Sequence, residues 1–255
     1  MPATAIASGR NFDIDPEEWE ARVDLAACYR LVAHYGMDDI VYTHISLRVP
    51  GSDDQFLINF FGTMFEEITA SSLARIDLDG KVISPAGAHV NEAGFTVHSA
   101  IHAARPDVHC VIHTHTRAGM ALSSLRQGLL PLCQKSMLFQ NRLAYHAFRG
   151  IAFDLAERES LVADLGPHKA MVLRNHGLVT CGRDCAEAFS LMYQLDLACQ
   201  VQMDVLAANA AYDLPAEAIA EKAAHQLESY PLTPRDLEWP GLLRKLDRLD
   251  PSFRS

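Results

Sequence analysis

The chain has 255 residues, 49% of them apolar and 21% charged, with a formal net charge of −10. That is enough for one large domain or two small ones around a substantial core. The acidity and the lack of any basic cluster exclude nucleic acid and anionic membrane surfaces as partners, and no run approaches the roughly 20 consecutive apolar residues of a membrane span. The start, MPATAIASGRNFDIDPEEWE, has no basic stretch leading into an apolar one and does not read as a signal peptide. Cys28, Cys110, Cys133, Cys181, Cys185 and Cys199 are scattered through predicted helices and strands, as reduced, buried residues rather than a disulfide framework. CGRDC lacks the usual zinc or redox spacing. A cytoplasmic protein is expected.

Residues 1–14 read as a flexible N-terminal arm. A helix follows over DPEEWEARVDLAACYRLVAHYG, with Asp15 as cap, Pro16 in the first turn, an apolar stripe through Trp19, Val23, Ala26, Ala27 and Leu31, and Gly36 as its stop. VYTHISLRV and QFLINFF are predicted strands, EITASSLARID a short helix, and LDGKVI a turn into a strand. NEAGFTVHSAIHAARPD is a helix ended by Pro106, VHCVIHTHT a strand, and TRAGMALSSLRQG a helix. Residues 129–155 alternate short apolar pieces with polar breaks. ESLVADLG is helical, KAMVLRNHGLVTCG is a strand pair turning at His176–Gly177, and a long helix begins at Asp184 with Glu187 as its capping partner. The last 45 or so residues hold one short helical stretch and a Pro-rich tail. Helices interleaved with strands, without a strict βαβ rhythm, predict a single three-layer α/β/α domain with a mixed sheet over residues 15–230 and a tail over 231–255.

Chemistry concentrates in VIHTHT. Side chains two apart on a strand share a face, so His113 and His115 project together. Neutral imidazoles so placed can hold a divalent metal at about 2.0–2.1 Å per nitrogen. They leave the set incomplete. His176 in RNHGL offers a third nitrogen, and Gly177 after it permits a close backbone approach or an unusual φ. Glu92, just upstream, could add a carboxylate. Two alternatives stand beside this site: paired strand histidines are often merely structural, and HSAIH sets His98 and His102 four apart on one helical face, which is also ligand spacing. The second pair lacks a glutamate directly after the first histidine, so histidines packed beneath the sheet are the plainer reading there. Glu66 and Glu67, adjacent and therefore on different faces, read as solvated.

The run NEAGFTVHSAIHAARPDVHCVIHTHTRAGMALS, followed about 60 residues later by VLRNHGLVTCGRDCAEAF, resembles the class II aldolase/adducin family, and YTHISLRVPG with the segment after it resembles that family's N-terminal half. The resemblance spans residues 20 to 210. It implies a three-layer fold with a mainly antiparallel sheet, a homotetramer with active sites at subunit interfaces, and a tail able to pack there. It also implies zinc, with manganese or iron as alternatives, on His113, His115 and His176, and Glu92 as the acid/base that can touch the metal. Three departures from the family's sugar-phosphate aldolases stand out. The G-N-x-S phosphate loop becomes THIS, with His44 in place of asparagine. Val90 and Asn91 replace a serine pair. No tyrosine lies in LPLCQKSM, which leaves Gln134, Lys135 or Tyr145 as substitutes for the tyrosine that protonates the leaving fragment. His44, Ser46 and Arg48 are candidate substrate contacts.

The expected function is a metal-dependent lyase cleaving a C–C bond, by retro-aldol reaction or decarboxylation, in a small carbonyl-containing hydroxy or carboxylic acid. The metal acts as Lewis acid on an enediolate, and Glu92 moves the proton. Two alternatives remain open. Adducin head domains resemble these enzymes yet serve as assembly modules without the metal-binding histidines. Some relatives on this fold use iron with oxygen.

Overall fold

The computed structural model describes residues 14–150 and 156–255, with residues 92–95 described by backbone alone. The predicted N-terminal arm, apart from Ile14, lies outside the described residues. The first helix, α1 (Pro16–His34), is capped where the sequence places the cap: Asp15 accepts a hydrogen bond from the Glu17 amide, and Pro16 occupies the first turn. Gly36, at φ +66°, ends it in a conformation that glycine adopts at little cost.

Eight strands follow: β1 (His44–Arg48), β2 (Gln55–Ile58), β3 (Ala74–Asp77), β4 (Val82–Ser84), β5 (Cys110–Thr114), β6 (Leu143–His146), β7 (Ala170–Leu173) and β8 (Gly177–Gly182). They form one sheet in the order β4-β3-β2-β1-β5-β8-β7-β6. Only the β6–β7 pairing is parallel, so the sheet is mixed and mainly antiparallel. The interleaved helices are α2 (Glu92–Ala104), α3 (Arg117–Ser123), α4 (Gln134–Met137), α5 (Glu157–Leu165), α6 (Cys185–Ala207), α7 (Glu217–Glu228), α8 (Pro234–Leu237) and α9 (Trp239–Leu249).

Strand alternation divides the core in two. Ile45, Leu47, Cys110, Ile112, Val172 and Leu178 face α1 and α6 and pack with Leu25, Tyr29, Phe189 and Met192. Val111, Met171, Val179 and Cys181 face the other way, against Val97 and Ile101 of α2 and Leu161 and Leu165 of α5. Covering both faces with helices makes three layers. α6 starts as expected, with the Asp184 carboxylate accepting from the Glu187 amide and Glu187 accepting from the Arg183 amide.

Two expectations need correction. EITASSLARID is not a helix: Phe65–Glu67 and Ala70–Ser72 are single 3₁₀ turns, and Ala74–Asp77 is β3, its alternate residues Ala74 and Ile76 buried beside Phe56 and Ile58. Nor are residues 231–255 an appended tail. Trp239, Leu246 and Phe253 are buried in the same core as α1 and α6, and the Trp239 indole N–H donates to Asp24 of α1. Pro234 and Pro240 sit in the first turns of α8 and α9, where a missing N–H costs nothing.

Phe253 is completely buried only two residues from the last. Phe253→Ala should therefore cost about 3–5 kcal/mol, the range for emptying a packed aromatic site. Urea unfolding would show it as a lowered midpoint with little change in slope. A loss below about 1 kcal/mol would mean that the C-terminal segment contributes little to the core.

Candidate metal centre

The alternation that builds the core also aims the histidines. Cys110 and Ile112 of β5 point toward α6, so Val111 and His113 point toward α2. His115 follows directly after the strand's last residue, Thr114. His176 sits in the turn between β7 and β8. There Asn175 adopts φ +55°, a conformation asparagine tolerates better than most residues, and the His176 amide bonds back to the Leu173 carbonyl. Gly177 has a steric reason to be glycine. A Cβ there would run into the Thr114 carbonyl oxygen and approach the His115 ring to 3.1 Å. The glycine serves close approach of the two strand ends, not a positive φ.

His113, His115 and His176 thereby converge, each with one ligand atom within 4.8 Å of the others. His115 Nε2 lies 2.8 Å from His113 Nε2 and 2.9 Å from His176 Nε2. The other nitrogens set the tautomers. His113 Nδ1–H donates to the Leu178 carbonyl at 3.0 Å, and His115 Nδ1–H donates to the Asp39 carboxylate at 3.0 Å. Both rings therefore present lone pairs at Nε2. Partners on the outer nitrogen are what orient imidazole ligands in metal sites. Burial, reinforced by the neighbouring histidines, pushes His113 well down from its ordinary value, and His176 is pushed down to about 4, first by burial and then by His115. Neutral rings are the metal-binding form. The donor set thus fits a divalent ion on charge, tautomer and direction.

The other predicted site residues are distributed differently. His44 lies directly opposite His113 in the β1–β5 register, with ring centroids 5.2 Å apart. Ser46 is fully buried and bonded to His98 and His102, which removes it from contact with a substrate. Arg48 is at the far end of β1, donating to the carbonyls of Asp53 and His102. It lines a separate cavity of about 990 Å³ with Trp19, His109, Arg235 and Arg254, and that cavity contains none of the three converging histidines. His98 and His102 are buried beneath the sheet, in the plainer arrangement. α2 begins at Glu92, but the side chain of Glu92 lies outside the described residues. Tyr145 packs on the opposite face of the sheet from His113, its hydroxyl accepting from the Leu129 amide and its ring beneath the Arg174 guanidinium. Gln134 and Lys135 lie on that same side, in α4, where Lys135 donates to Gln194 of α6. Asp39 escaped the sequence reading, because MDDI carries no spacing that ties it to a histidine 76 residues on.

The model of the Class II Aldolase and Adducin N-terminal domain matches residues 23–203. The chain belongs to the class II aldolase/adducin family. It is 47% identical over 245 residues to a class 2 aldolase-like protein of Pseudomonas aeruginosa, with 94% of each chain covered. It is 40% identical over 209 residues to rat alpha-adducin, covering 81% of this chain but 28% of the adducin. Among solved structures, L-fuculose 1-phosphate aldolase from Glaciozyma antarctica superposes with a TM-score of 0.83 at 29% identity, covering 94% of this chain and 93% of that one.

Two measurements test this site. Asp39→Asn should weaken zinc binding about 10–100-fold, read by competition with a chelator; an unchanged affinity would detach Asp39 from the centre. The second is pH dependence. Burial drives His102 to about 3 and His176 to about 4, whereas a histidine in the unfolded chain titrates near 6.5. Between those values the unfolded chain binds more protons than the folded one. Stability of the metal-stripped protein should thus fall as pH drops from about 6.5 toward 4, and level off once the folded rings also protonate. Urea midpoints recorded across that window would show it, with a shallower slope in His102→Phe; a flat profile would mean these rings are not held neutral.

Proposed function

We propose that the chain is a metal-dependent lyase that breaks a C–C bond in a small carbonyl-bearing hydroxy or carboxylic acid, by retro-aldol cleavage or decarboxylation. One observation carries the reading. His113 and His115 are both fixed as Nδ1–H tautomers, yet their Nε2 atoms face each other at 2.8 Å. Two lone pairs do not rest against each other, and a cation between them resolves the conflict. His113, His115 and His176 would hold the ion, zinc in the first place and manganese or iron as alternatives. When bound, a divalent ion supplies Lewis-acid stabilisation of the negative charge that develops on a substrate oxygen as the bond breaks.

The chain's own residues do the rest. The Leu178 carbonyl and Asp39 hold two rings in the ligating orientation. Glu92, at the start of α2, is the proton carrier that the family resemblance implies. A non-phosphorylated acid fits better than a sugar phosphate, because anion cradles are built from backbone amides and small hydroxyls, and the THIS segment spends its serine on buried histidines. A homotetramer acting in the cytoplasm belongs to the same proposal.

A second reading is favoured by the adducin match: a non-catalytic assembly module. Three convergent histidines speak against it, since a scaffold has no use for them. Elemental analysis of the purified protein separates the two. About one zinc, manganese or iron per chain is expected, lost in a folded His113→Ala/His176→Ala double mutant and kept in His98→Ala. The element found divides lyase chemistry from oxygen chemistry. No metal in the wild type, even after incubation with divalent ions, would leave the assembly module as the better account.

A further inference from the structure

Two of the three converging rings have a partner on the outer nitrogen. His113 Nδ1 is held by the Leu178 carbonyl and His115 Nδ1 by Asp39. The His176 ring faces His115 through Nε2, and among the described residues its Nδ1 makes no hydrogen bond. A ligand imidazole almost always donates its outer N–H to a carboxylate, a backbone carbonyl or a water. The surroundings of His176 therefore bear on how the third ligand is oriented.

His176 lines a crevice of about 10 Å³ between α2, α5 and the ends of β6 and β7. That is room for about one water. Among the described residues, the polar side chains around it belong to His146, Glu157, Arg174 and His176. Strand alternation brings His146 to this side of the sheet. Ala144 packs with Val97 and Leu161, and His146 is two residues on, whereas Tyr145 between them enters the layer under α6. The His146 ring is 2% exposed, and both its nitrogens are committed, Nδ1 to Asp164 Oδ2 at 2.7 Å and Nε2 to Glu157 Oε1 at 3.0 Å. Glu157 and Asp164 stand in the first and last turns of α5, so one ring fixes both ends of that helix. The Arg174 guanidinium is engaged on the other side of the sheet, donating to the Leu125 carbonyl and lying over the Tyr145 ring. Glu157 Oε2 is left as the side-chain acceptor that shares the crevice with His176. Whichever of the three groups carries the two hydrogens of the His146 bonds, that oxygen stays able to accept.

We propose that Glu157, held in place by His146, positions the third ligand through a single water: the water in the crevice accepts the His176 Nδ1–H and donates to Glu157 Oε2. The inference rests on the reading of the triad as a metal centre. Each ring then has an outer partner of a different kind, a backbone carbonyl for His113, an aspartate for His115 and a glutamate-bound water for His176. Glu157 and His146 touch neither metal nor substrate. They are positioning residues that act through His176 and tie α5 to the orientation of its ring.

The test is zinc affinity, read by competition with a chelator, in the wild type, Glu157→Ala and Asp164→Ala. Each variant removes one of the two bonds to His146, but Asp164 does not line the crevice. Glu157→Ala should weaken zinc binding about 10–100-fold, and Asp164→Ala should leave it unchanged. Equal losses in the two variants would mean that the cluster only anchors α5, and would overturn the proposal, as would an unchanged affinity in Glu157→Ala. Long-range ¹⁵N–¹H correlation spectra of the zinc-loaded protein add a signature that anchorage alone would not move. His176 should be protonated at Nδ1, with a hydrogen that exchanges faster with solvent in Glu157→Ala while that of His113 is unaffected. Should Glu157→Ala fail to fold, a crystal structure of the zinc-loaded wild type decides: a water bridging His176 Nδ1 and Glu157 is expected, and a His176 Nδ1 bonded elsewhere overturns the proposal. Wild-type protein that binds no zinc would overturn the metal reading itself, and this inference with it.

Discussion

The antiparallel ladder of β1, β5 and β8 is the constraint on which everything else rests. Its register sets His44 against His113 and His113 against Val179. Because side chains alternate, the residues that share that face are determined once the register is. A slip of one residue in β5 would send His113 into the packed layer under α6 and bring Ile112 to the site. The ladder is protected against slippage by what it buries, since both faces are covered and all five residues of β5 are buried. The position of the imidazoles is thus held by the burial of Cys110, Ile112 and Val111, not by the imidazoles themselves.

That separation explains which parts were legible in the sequence. H-x-H on a β-branched run and N-H-G at a strand turn are local patterns, and each reports a local geometry: a shared strand face, and a turn tight enough to need Gly177. The helices with caps were legible for the same reason. Asp39 was not, because its meaning comes from a contact across 76 residues. Nor was the face of Tyr145, since periodicity shows which residues of a strand go together but not which layer they enter. The C-terminal helices were hidden by their prolines, which mark a first turn as readily as a break. β3 was hidden because two short 3₁₀ turns precede it and its four residues are too few to display alternation.

His98 and His102 show how a correct reading can be incomplete. They are indeed packed beneath the sheet. They are also hydrogen-bonded in series with His44 and Ser46, as packed leucines would not be. Sequence spacing offered two categories, ligand or packing. The structure holds a third, a buried hydrogen-bonded string that is neither a ligand set nor apolar packing.

Such an arrangement is poor economy for stability alone. Apolar side chains of similar volume would fill the space under β1 without desolvating imidazoles, and replacing buried polar networks in this way is often neutral or stabilising. Phe56 already stacks on His102 with centroids 5.0 Å apart, so the surroundings would accept an aromatic hydrocarbon there. The same reasoning applies to the triad, where burial and the neighbouring imidazoles keep His113 and His176 neutral. The two core layers do not need these groups: the layer under α1 and α6 closes through Leu25, Ile45, Ile112, Leu178 and Phe189, and the layer under α2 and α5 through Val97, Ile101, Leu161 and Val179. A relative that serves only as a scaffold could therefore discard the histidines and keep the fold. Their presence here, in a geometry that costs stability, is the physical argument behind the proposed metal-dependent activity.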